Sequence, residues 1–457
     1  MRSCLALALC AACLALPIFA EDWPQWRGPS RNDQSSETGL LKAFDGKAPK
    51  VVWEIKNAGV GYSGPSIYKG KVYLAGGTIE APKEAPKDES SEKKEEPKGK
   101  RRGGAGQKHI DEVLCLDEAT GKEEWRVKVG NEYEDNGSDS NWGGGPRANP
   151  SVTEDGHIYV LGIRGDVFCL KASNGSVLWT KNYEKDFGGK LMSGWGFSES
   201  PLVDGDKLVC VPGGDKGSLA CLNRKTGEVI WRSTDLKDAA GYSSVVKANL
   251  AGVDQYVVLT GSNVVGVATD SGKLLWKYDC KDRYKVAVIP TPVIVDKDLV
   301  YATSGYGAGC DLIRISGDAS GQKAEKVFSN RDVVNHHGGV ISKEGFIFGH
   351  SDAKGWICQD LKDGSLKWST RGGAKSPEKG SVTYADGALF CYGEDTGTLV
   401  VVEANSKEFK ELGRFKISGE TKLRRPSGKF WTHPVIANGK LYLRDQDLLF
   451  CYDISGK

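Results

Sequence analysis

The sequence predicts an all-β chain that folds as an eight-bladed β-propeller of four-stranded antiparallel blades, with seven blades as the alternative count. Three observations predict it: a strand–turn–strand motif that ends in Trp recurs along the chain, a second pair of strands precedes each copy, and the two chain ends each supply part of one blade. The 59 glycines, 17 prolines and two methionines among 457 residues also suit short strands and argue against an all-α architecture.

The repeated motif is a short apolar strand, a polar turn with a glycine, and a second strand that ends in Trp. Its copies are LCLDEATGKEEW, FCLKASNGSVLW, ACLNRKTGEVIW, VGVATDSGKLLW and ICQDLKDGSLKW. The turn needs a residue that tolerates a positive φ. That position holds Gly121, Gly175, Gly227, Gly272 and Gly364. The copies end in Trp125, Trp179, Trp231, Trp276 and Trp368. We expect these large flat side chains to pack one sheet on the next.

Eight pairs of strands start along the chain, which gives the count of blades. Two blades, which end near Phe328 and Phe415, lack the Trp, and seven therefore stays the alternative. The chain ends in LLFCYDISGK, where a Trp-bearing strand should begin, and KVVWEIK near the N-terminus contains Trp53. We expect the two ends to complete one blade, because this closes the ring and leaves no open sheet edge.

The regions outside the repeats predict export and a charged loop. Residues 1–20 have the basic start, apolar run and small exit residue of a secretory signal peptide, and we expect cleavage near Ala20. Cys10 and Cys13 leave a lipoprotein as the alternative. Residues 21–49 form an N-terminal extension, whose DWPQWRG segment could cap the central funnel or pack along its rim. Within the propeller, residues 50–457, the charged segment 80–108 is expected to be a disordered insert in the first blade, either a simple insertion or a docking site for a partner.

Charge and cysteine usage exclude several functions. The formal net charge of +2 gives no strong field for nucleic acid, and the only long apolar run lies in the predicted signal peptide, so no transmembrane segment is expected. Cys115, Cys169, Cys221, Cys358 and Cys451 occupy the same place in the repeated strand, where we expect them to act as small buried hydrophobes. After the predicted signal peptide, which contains Cys10 and Cys13, the sequence has no CxxC pair.

The candidate site is the mouth of the funnel that the first strands of the blades surround. Residues just before these strands should ring the mouth. The candidates for contact with a ligand or cofactor are Arg147, Trp195, Glu199, Tyr242, His336, His337, Lys379, Trp431 and His433. Arg147 suits an anionic group, and Trp195 and Trp431 could form an aromatic floor. The histidines have no close metal-ligand spacing, and we assign no metal site. The alternative is structural, with Arg147 in a salt bridge to Glu199 or Glu378.

The motif D/N-x-x-T/S-G-x-x-x-W resembles the tryptophan-docking repeat of pyrroloquinoline-quinone (PQQ) type propellers. DWPQWRGPSR, NHHGG and HPVIANGKLYLRDQD further resemble a family of secreted bacterial PQQ-binding-like repeat proteins. This superfold includes quinoprotein alcohol dehydrogenases and the noncatalytic propeller lipoprotein of the outer-membrane β-barrel assembly machinery. The dehydrogenases characteristically carry adjacent cysteines and a calcium site, whereas this sequence has no Cys-Cys pair, no CxxCH haem motif and no calcium set that we can place.

The resemblance and the residues together favour a secreted, periplasmic or extracellular scaffold, a monomer that contacts a protein partner or a small polar or anionic ligand at the funnel mouth. The alternative is an oxidoreductase that depends on PQQ with calcium, or on a metal, and uses the same mouth. A third hypothesis is a hydrolase or lyase with His336 and His337 as acid and base, since imidazole titrates near neutral pH. The sequence identifies no catalytic residue.

Overall fold

The computed structural model describes residues 21–44, 46–79, 107–134, 142–280, 282–373 and 376–456, which form eight four-stranded antiparallel sheets. The eight-bladed propeller predicted from the sequence is thus confirmed. The predicted signal peptide and residues 80–106 of the insert lie outside the described residues. Lys108 already belongs to a strand, so the insert is shorter at its C-terminal end than the 80–108 that we expected.

In seven of the eight blades that the structure describes, four consecutive strands pair in chain order. β1 (Val51–Ile55) belongs to blade 8. Blade 1 comprises β2 (Ser66–Tyr68), β3 (Lys71–Ile79), β4 (Lys108–Asp117) and β5 (Glu123–Glu134); blade 2 comprises β6 (Ser151–Val152), β7 (His157–Leu161), β8 (Asp166–Lys171) and β9 (Val177–Asn182). A short helix, α1 (Tyr183–Phe187), follows β9. Blade 3 comprises β10 (Leu202–Asp204), β11 (Lys207–Cys210), β12 (Ala220–Asn223) and β13 (Val229–Arg232).

The remaining blades repeat this order. Blade 4 comprises β14 (Val246–Leu250), β15 (Val253–Leu259), β16 (Asn263–Ala268) and β17 (Leu274–Asp279); blade 5 comprises β18 (Val293–Asp296), β19 (Leu299–Ser304), β20 (Gly309–Asp318) and β21 (Gly321–Asn330). Blade 6 comprises β22 (Val340–Lys343), β23 (Phe346–Ser351), β24 (Gly355–Asp360) and β25 (Leu366–Ser369); blade 7 comprises β26 (Gly380–Ala385), β27 (Ala388–Gly393), β28 (Thr398–Glu403) and β29 (Glu411–Lys416). Blade 8 combines β30 (Val435–Ala437), β31 (Lys440–Asp445) and β32 (Leu448–Asp453) with β1.

Blade 8 closes the ring, as the sequence predicts. β1 pairs antiparallel with β32, and Trp53 stands opposite Cys451 in this pairing. The N-terminal part of the chain therefore supplies the fourth strand of a blade whose other three strands come from the C-terminal part, so β32 is not left as an open sheet edge. Phe328 in β21 and Phe415 in β29 hold the places where Trp is missing from the repeat.

Adjacent blades contact each other through the repeated Trp and the glycine turn. The indole Nε1 of Trp125 in blade 1 donates to the backbone oxygen of Ala172 in blade 2 over 3.0 Å. Gly175 in the same turn has a φ of 73°, and a Cβ there would lie 2.6 Å from the Trp125 ring. Glycine thus serves both the turn and the close approach of the indole. Trp276 differs, because its Nε1 donates to the side-chain oxygen of Gln255 within blade 4.

The cysteines of the repeat lie inside this packing. Cys115, Cys169, Cys221 and Cys358 face the Trp of their own blade across the last strand pair. The nine cysteines in the described part of the chain are buried and free. Burial raises the pKa of Cys169 to about 11, so the thiol stays protonated and unreactive at neutral pH.

The N-terminal extension runs along the central axis. The first strands of neighbouring blades contact one another, as in the pairs β2–β6, β18–β22, β22–β26 and β26–β30, and so surround the axis. Trp23 pairs with Ile67 in β2 of blade 1, and the backbone N–H of Ser35 donates to the backbone oxygen of Tyr384 in β26 of blade 7 over 2.9 Å. Between them, Arg31 donates to the backbone oxygen of Ser200 over 2.6 Å. The extension therefore packs against the inner strands of several blades.

Candidate functional site

The candidate site is a cavity of about 170 Å³ at one end of this axis. Its walls come chiefly from the residues just before the first strand in seven of the eight blades, among the residues that the structure describes. Seven of the sequence-predicted candidates line it: Arg147, Trp195, Tyr242, His336, His337, Trp431 and His433.

The other two candidates, Glu199 and Lys379, do not line the cavity. The carboxylate of Glu199 turns into the protein and accepts hydrogen bonds from the Tyr183 hydroxyl and, over 3.0 Å, from the backbone N–H of Val211. Burial raises the pKa of Glu199 to about 7. Lys379 stands behind the wall, where its ammonium is 2.9 Å from the Asp352 carboxylate.

Several lining residues were missed by the sequence-based candidate set, among them Trp26, Arg27, Trp142 and Tyr306. Trp26 and Arg27 come from the N-terminal extension, Trp142 from the loop before β6, and Tyr306 from the turn between β19 and β20. Aligning the starts of the first strands could not find residues in other turns or in the extension. The sequence does contain a signal for Trp142, since it stands in the run NWGGGPR, whose last residue is the candidate Arg147.

One wall of the cavity is a cluster of aromatic rings around Trp431. Its ring stacks on Trp142, with centroids 5.4 Å apart and planes 23° apart, and lies 5.0 Å from the Tyr62 ring. The Trp431 Nε1 donates to the carboxylate of Glu394 over 3.0 Å, which fixes the indole in place. The wall thus presents rigid aromatic faces against which a planar group can stack.

Arg147 lies beside this wall. Its guanidinium carbon is 5.4 Å from the centre of the Tyr62 ring, and one Nη donates to the backbone oxygen of Gly143 over 3.3 Å. Glu199 and Glu378, the acidic residues that the sequence suggested as partners, accept hydrogen bonds from other groups. Glu378 accepts backbone N–H groups of the turn after β27.

A chain of hydrogen bonds leads from Lys379 through the wall to the cavity. The Lys379 ammonium can only donate, and it lies 3.0 Å from His336 Nδ1. Burial, together with the charge of Lys379, lowers the pKa of His336 to about 4, so the ring is neutral and carries its proton on Nε2. That nitrogen is 3.1 Å from the Tyr306 hydroxyl oxygen. The hydroxyl proton of Tyr306 is therefore left to donate to a group in the cavity.

His337 presents a second polar group. The residue is 9% exposed; Nε2 lies 3.4 Å from a carboxylate oxygen of Glu394, and both ring nitrogens are buried without a hydrogen bond to the described residues. Burial and the nearby His336 hold the pKa of His337 well below its ordinary value, so the ring is neutral. A neutral imidazole can donate one hydrogen bond and accept another.

A buried charge cluster lies beneath the floor of the cavity. Arg27 Nε donates to Asp33 Oδ2, and His433 Nδ1 is 3.1 Å from the same oxygen. The other ring nitrogen of His433 is 3.2 Å from the backbone oxygen of His337. Burial alone would raise the pKa of Asp33, but Arg27 and His433 hold it below its ordinary value. These contacts join the extension to blades 6 and 8 and fix Trp26, whose ring lies 4.6 Å from that of His433.

The described residues do not fit a calcium or transition-metal site. None of the described lining residues is acidic, and the described chain contains no group of three or more His, Cys, Asp or Glu side chains that could hold a metal ion. Calcium takes six to eight oxygen ligands, mostly from carboxylates and carbonyls. The aromatic walls would suit the rings of a quinone, but the calcium that the PQQ hypothesis includes lacks ligands here.

The fold and this axial cavity define a propeller of the PQQ type. A sequence profile described as PQQ_2, outer membrane protein assembly factor BamB, matches residues 110–370, and the chain belongs to this family. Comparison with curated proteins gave no significant match. No helix in the described residues has the length and apolar character needed to cross a membrane.

Solved structures support the fold. Quinohemoprotein alcohol dehydrogenase from Comamonas testosteroni is similar at a TM-score of 0.59 and 12% identity, over 95% of this chain and 80% of that one. A quinohemoprotein alcohol dehydrogenase from Pseudomonas putida HK5 gives 0.58 and 12% with the same coverage. BamB from Moraxella catarrhalis gives 0.51 and 14%, over 75% of this chain and 88% of that one. At these identities the similarity shows the fold alone.

Proposed function

We propose that this chain is an exported propeller that acts as a binding or assembly scaffold and holds a ligand or a partner's side chain in the axial cavity. The observation that carries the proposal is the cavity itself, where aromatic walls stand beside polar side chains. Concave, mostly apolar sites with a few convergent polar groups are typical of binding sites.

The site favours a planar group that carries oxygen acceptors or a negative charge. Tyr306 offers a hydroxyl proton, His337 a neutral imidazole, and Arg147 a guanidinium, while the described lining residues include no carboxylate that would attract a cation. A small aromatic anion meets these demands, and so does an aromatic or acidic side chain of a protein partner.

Export is the second part of the proposal. It rests on the signal-like residues 1–20, which would carry the chain to the periplasm or the cell exterior. The family's description as an outer membrane protein assembly factor supports a role in binding other proteins there. We propose that the chain is a monomer.

The alternative is a PQQ-dependent oxidoreductase that uses the same cavity. The stacked rings of Trp142 and Trp431 support this alternative, because a quinone ring can stack on indole rings. Thermal melting with PQQ, with and without calcium, separates the hypotheses. The scaffold predicts no shift that depends on calcium, whereas a calcium-dependent rise in melting temperature together with dye reduction would favour the enzyme.

The experiment that tests the scaffold proposal measures quenching of Trp fluorescence by 2-naphthoate, a planar anion, and by 2-naphthylmethylammonium, a cation of similar size. We expect the anion to bind more tightly, and Arg147→Ala and His337→Ala each to weaken it about tenfold, the effect of losing one charge-assisted hydrogen bond.

Arg164→Ala is the matched control for the arginine variant. Arg164 also lies over a tyrosine ring, that of Tyr133 at 5.1 Å, and donates to a backbone oxygen, but it lies outside the cavity. Binding of the anion should survive this change. Equal affinity for the two probes, or an equal loss in both arginine variants, would contradict the proposal.

A further inference from the structure

The start of the described chain is folded back onto a buried carboxylate. The backbone nitrogen of Glu21 donates to Glu37 Oε1 over 3.2 Å. In return, the Glu21 carboxylate accepts from the backbone nitrogen of Ser36 over 2.7 Å and from its hydroxyl over 2.8 Å. Residues 21 and 36–37 thus close a loop, and the part of the extension that lies along the axis is contained in this loop.

Glu37 has no countercharge among the described residues. Its side chain is fully buried, and its oxygens accept backbone N–H groups from Asn438, from Gly439 over 2.8 Å, and from Glu21. No ion pair of the described chain involves it, and burial raises the pKa of its carboxyl group. A buried carboxylate held only by neutral donors is a costly group, which a nearby cation would stabilise.

The sequence places such a cation at this point, because the signal peptide is expected to end at Ala20. Hydrolysis of the Ala20–Glu21 peptide bond by water leaves a carboxylate on Ala20 and a primary amine on Glu21. The amine takes up a proton, since an α-amino group ordinarily has a pKa of about 7.7 to 8.0. The atom that donates to Glu37 as a neutral amide then carries a positive charge.

We propose that removal of residues 1–20 creates an ion pair between the new α-ammonium group of Glu21 and the buried carboxylate of Glu37, and that this pair locks the axial extension into the propeller. The locked extension supplies Trp26 and Arg27 to the cavity floor, so processing and assembly of the site are coupled. The inference rests on the proposed export but not on what the cavity binds.

The experiment compares two forms of the protein, one that begins at Glu21 and one that keeps Ala20 in front of it, each with and without Glu37→Gln. Both are made by cleaving a removable N-terminal fusion, so the first residue is set directly. At pH 7 we expect the form that begins at Glu21 to melt about 2 °C or more higher, the size of effect that one moderate ion pair has in a chain of several hundred residues.

This difference should vanish in Glu37→Gln and should shrink above pH 9, where the amine is neutral. Glu154→Gln is the control, since Glu154 is an exposed carboxylate. Equal melting temperatures of the two forms, or a difference that persists in Glu37→Gln, would overturn the proposal.

A second readout keeps the test decisive if Glu37→Gln fails to fold. The α-amine of the protein that begins at Glu21 should react with an amine-selective ester several-fold more slowly at pH 7 than the α-amine of the form that keeps Ala20, because pairing keeps it protonated. Equal rates would refute the pairing. N-terminal sequencing of the exported protein tests the cleavage position separately, so a failure of export and a failure of the ion pair are distinguishable.

Discussion

Glu199→Gln separates a structural role for this residue from the ligand role that the sequence suggested. Glu199 is 1% exposed, and burial raises the pKa of its carboxyl group from 4.5 to about 7. Between these two pH values the folded chain holds a proton that the unfolded chain has released, so the group's contribution to the free energy of unfolding falls as the pH rises. The shift is worth about 3 kcal/mol at 1.36 kcal/mol for each pH unit.

Gln cannot ionise, and its side-chain oxygen can still accept from Tyr183 and Val211. We therefore expect the variant's stability relative to the wild type to improve by up to about 3 kcal/mol between pH 5 and pH 8. Urea unfolding at four pH values in this range measures the change, with Glu154→Gln as an exposed control. Binding of 2-naphthoate should stay within about twofold of the wild type. A stability difference that does not change with pH, or a large loss of binding, would refute the reasoning.

Two further changes test the cavity and the blade contacts. Tyr306→Phe removes the hydroxyl group that ends the series of hydrogen bonds from Lys379, and it should weaken 2-naphthoate binding about tenfold without lowering the melting temperature. Tyr384→Phe, a change outside the cavity, should leave the binding unchanged, and fluorescence titration measures both variants. Gly175→Ala places a Cβ 2.6 Å from the Trp125 indole, whereas Gly156→Ala places one in open space at a similar positive φ. Urea unfolding should therefore show Gly175→Ala to be more destabilised by about 1 to 3 kcal/mol. Equal losses of stability in the two variants would show that backbone strain, and not the contact between blades, determines the effect.

The fold could be predicted because its signals are local and repeated. Each turn glycine and each strand-ending Trp is specified within a dozen residues, and the closing blade follows from where Trp53 and the last strand stand in the chain. The positive φ at Gly175 and the pairing of β1 with β32 bear these predictions out. Repetition supplies several independent copies of each signal, so the missing Trp at two blades did not mislead the count.

The site could be predicted only in part, because alignment of strand starts gives a residue's position but not the direction of its side chain. Glu199 stands in the right ring of positions, yet its carboxylate turns towards Tyr183 after blade 2. The residues of the cavity floor could not be predicted from the sequence, for a different reason. Arg27 is held by the backbone of Val340, 313 residues away, and nothing in the local sequence specifies a contact of that range.

The central claim is that the axial cavity holds a planar ligand with acceptor oxygens, and a crystal structure of the protein soaked with 6-bromo-2-naphthoate tests it most directly. The anomalous signal of bromine locates the probe, because the aromatic side chains of the cavity walls give no such signal. The account predicts one strong bromine peak between Trp26 and Trp431, with the carboxylate towards Arg147, Tyr306 or His337. A bound probe whose peak lies on the outer blades, with the cavity left to water, would contradict it.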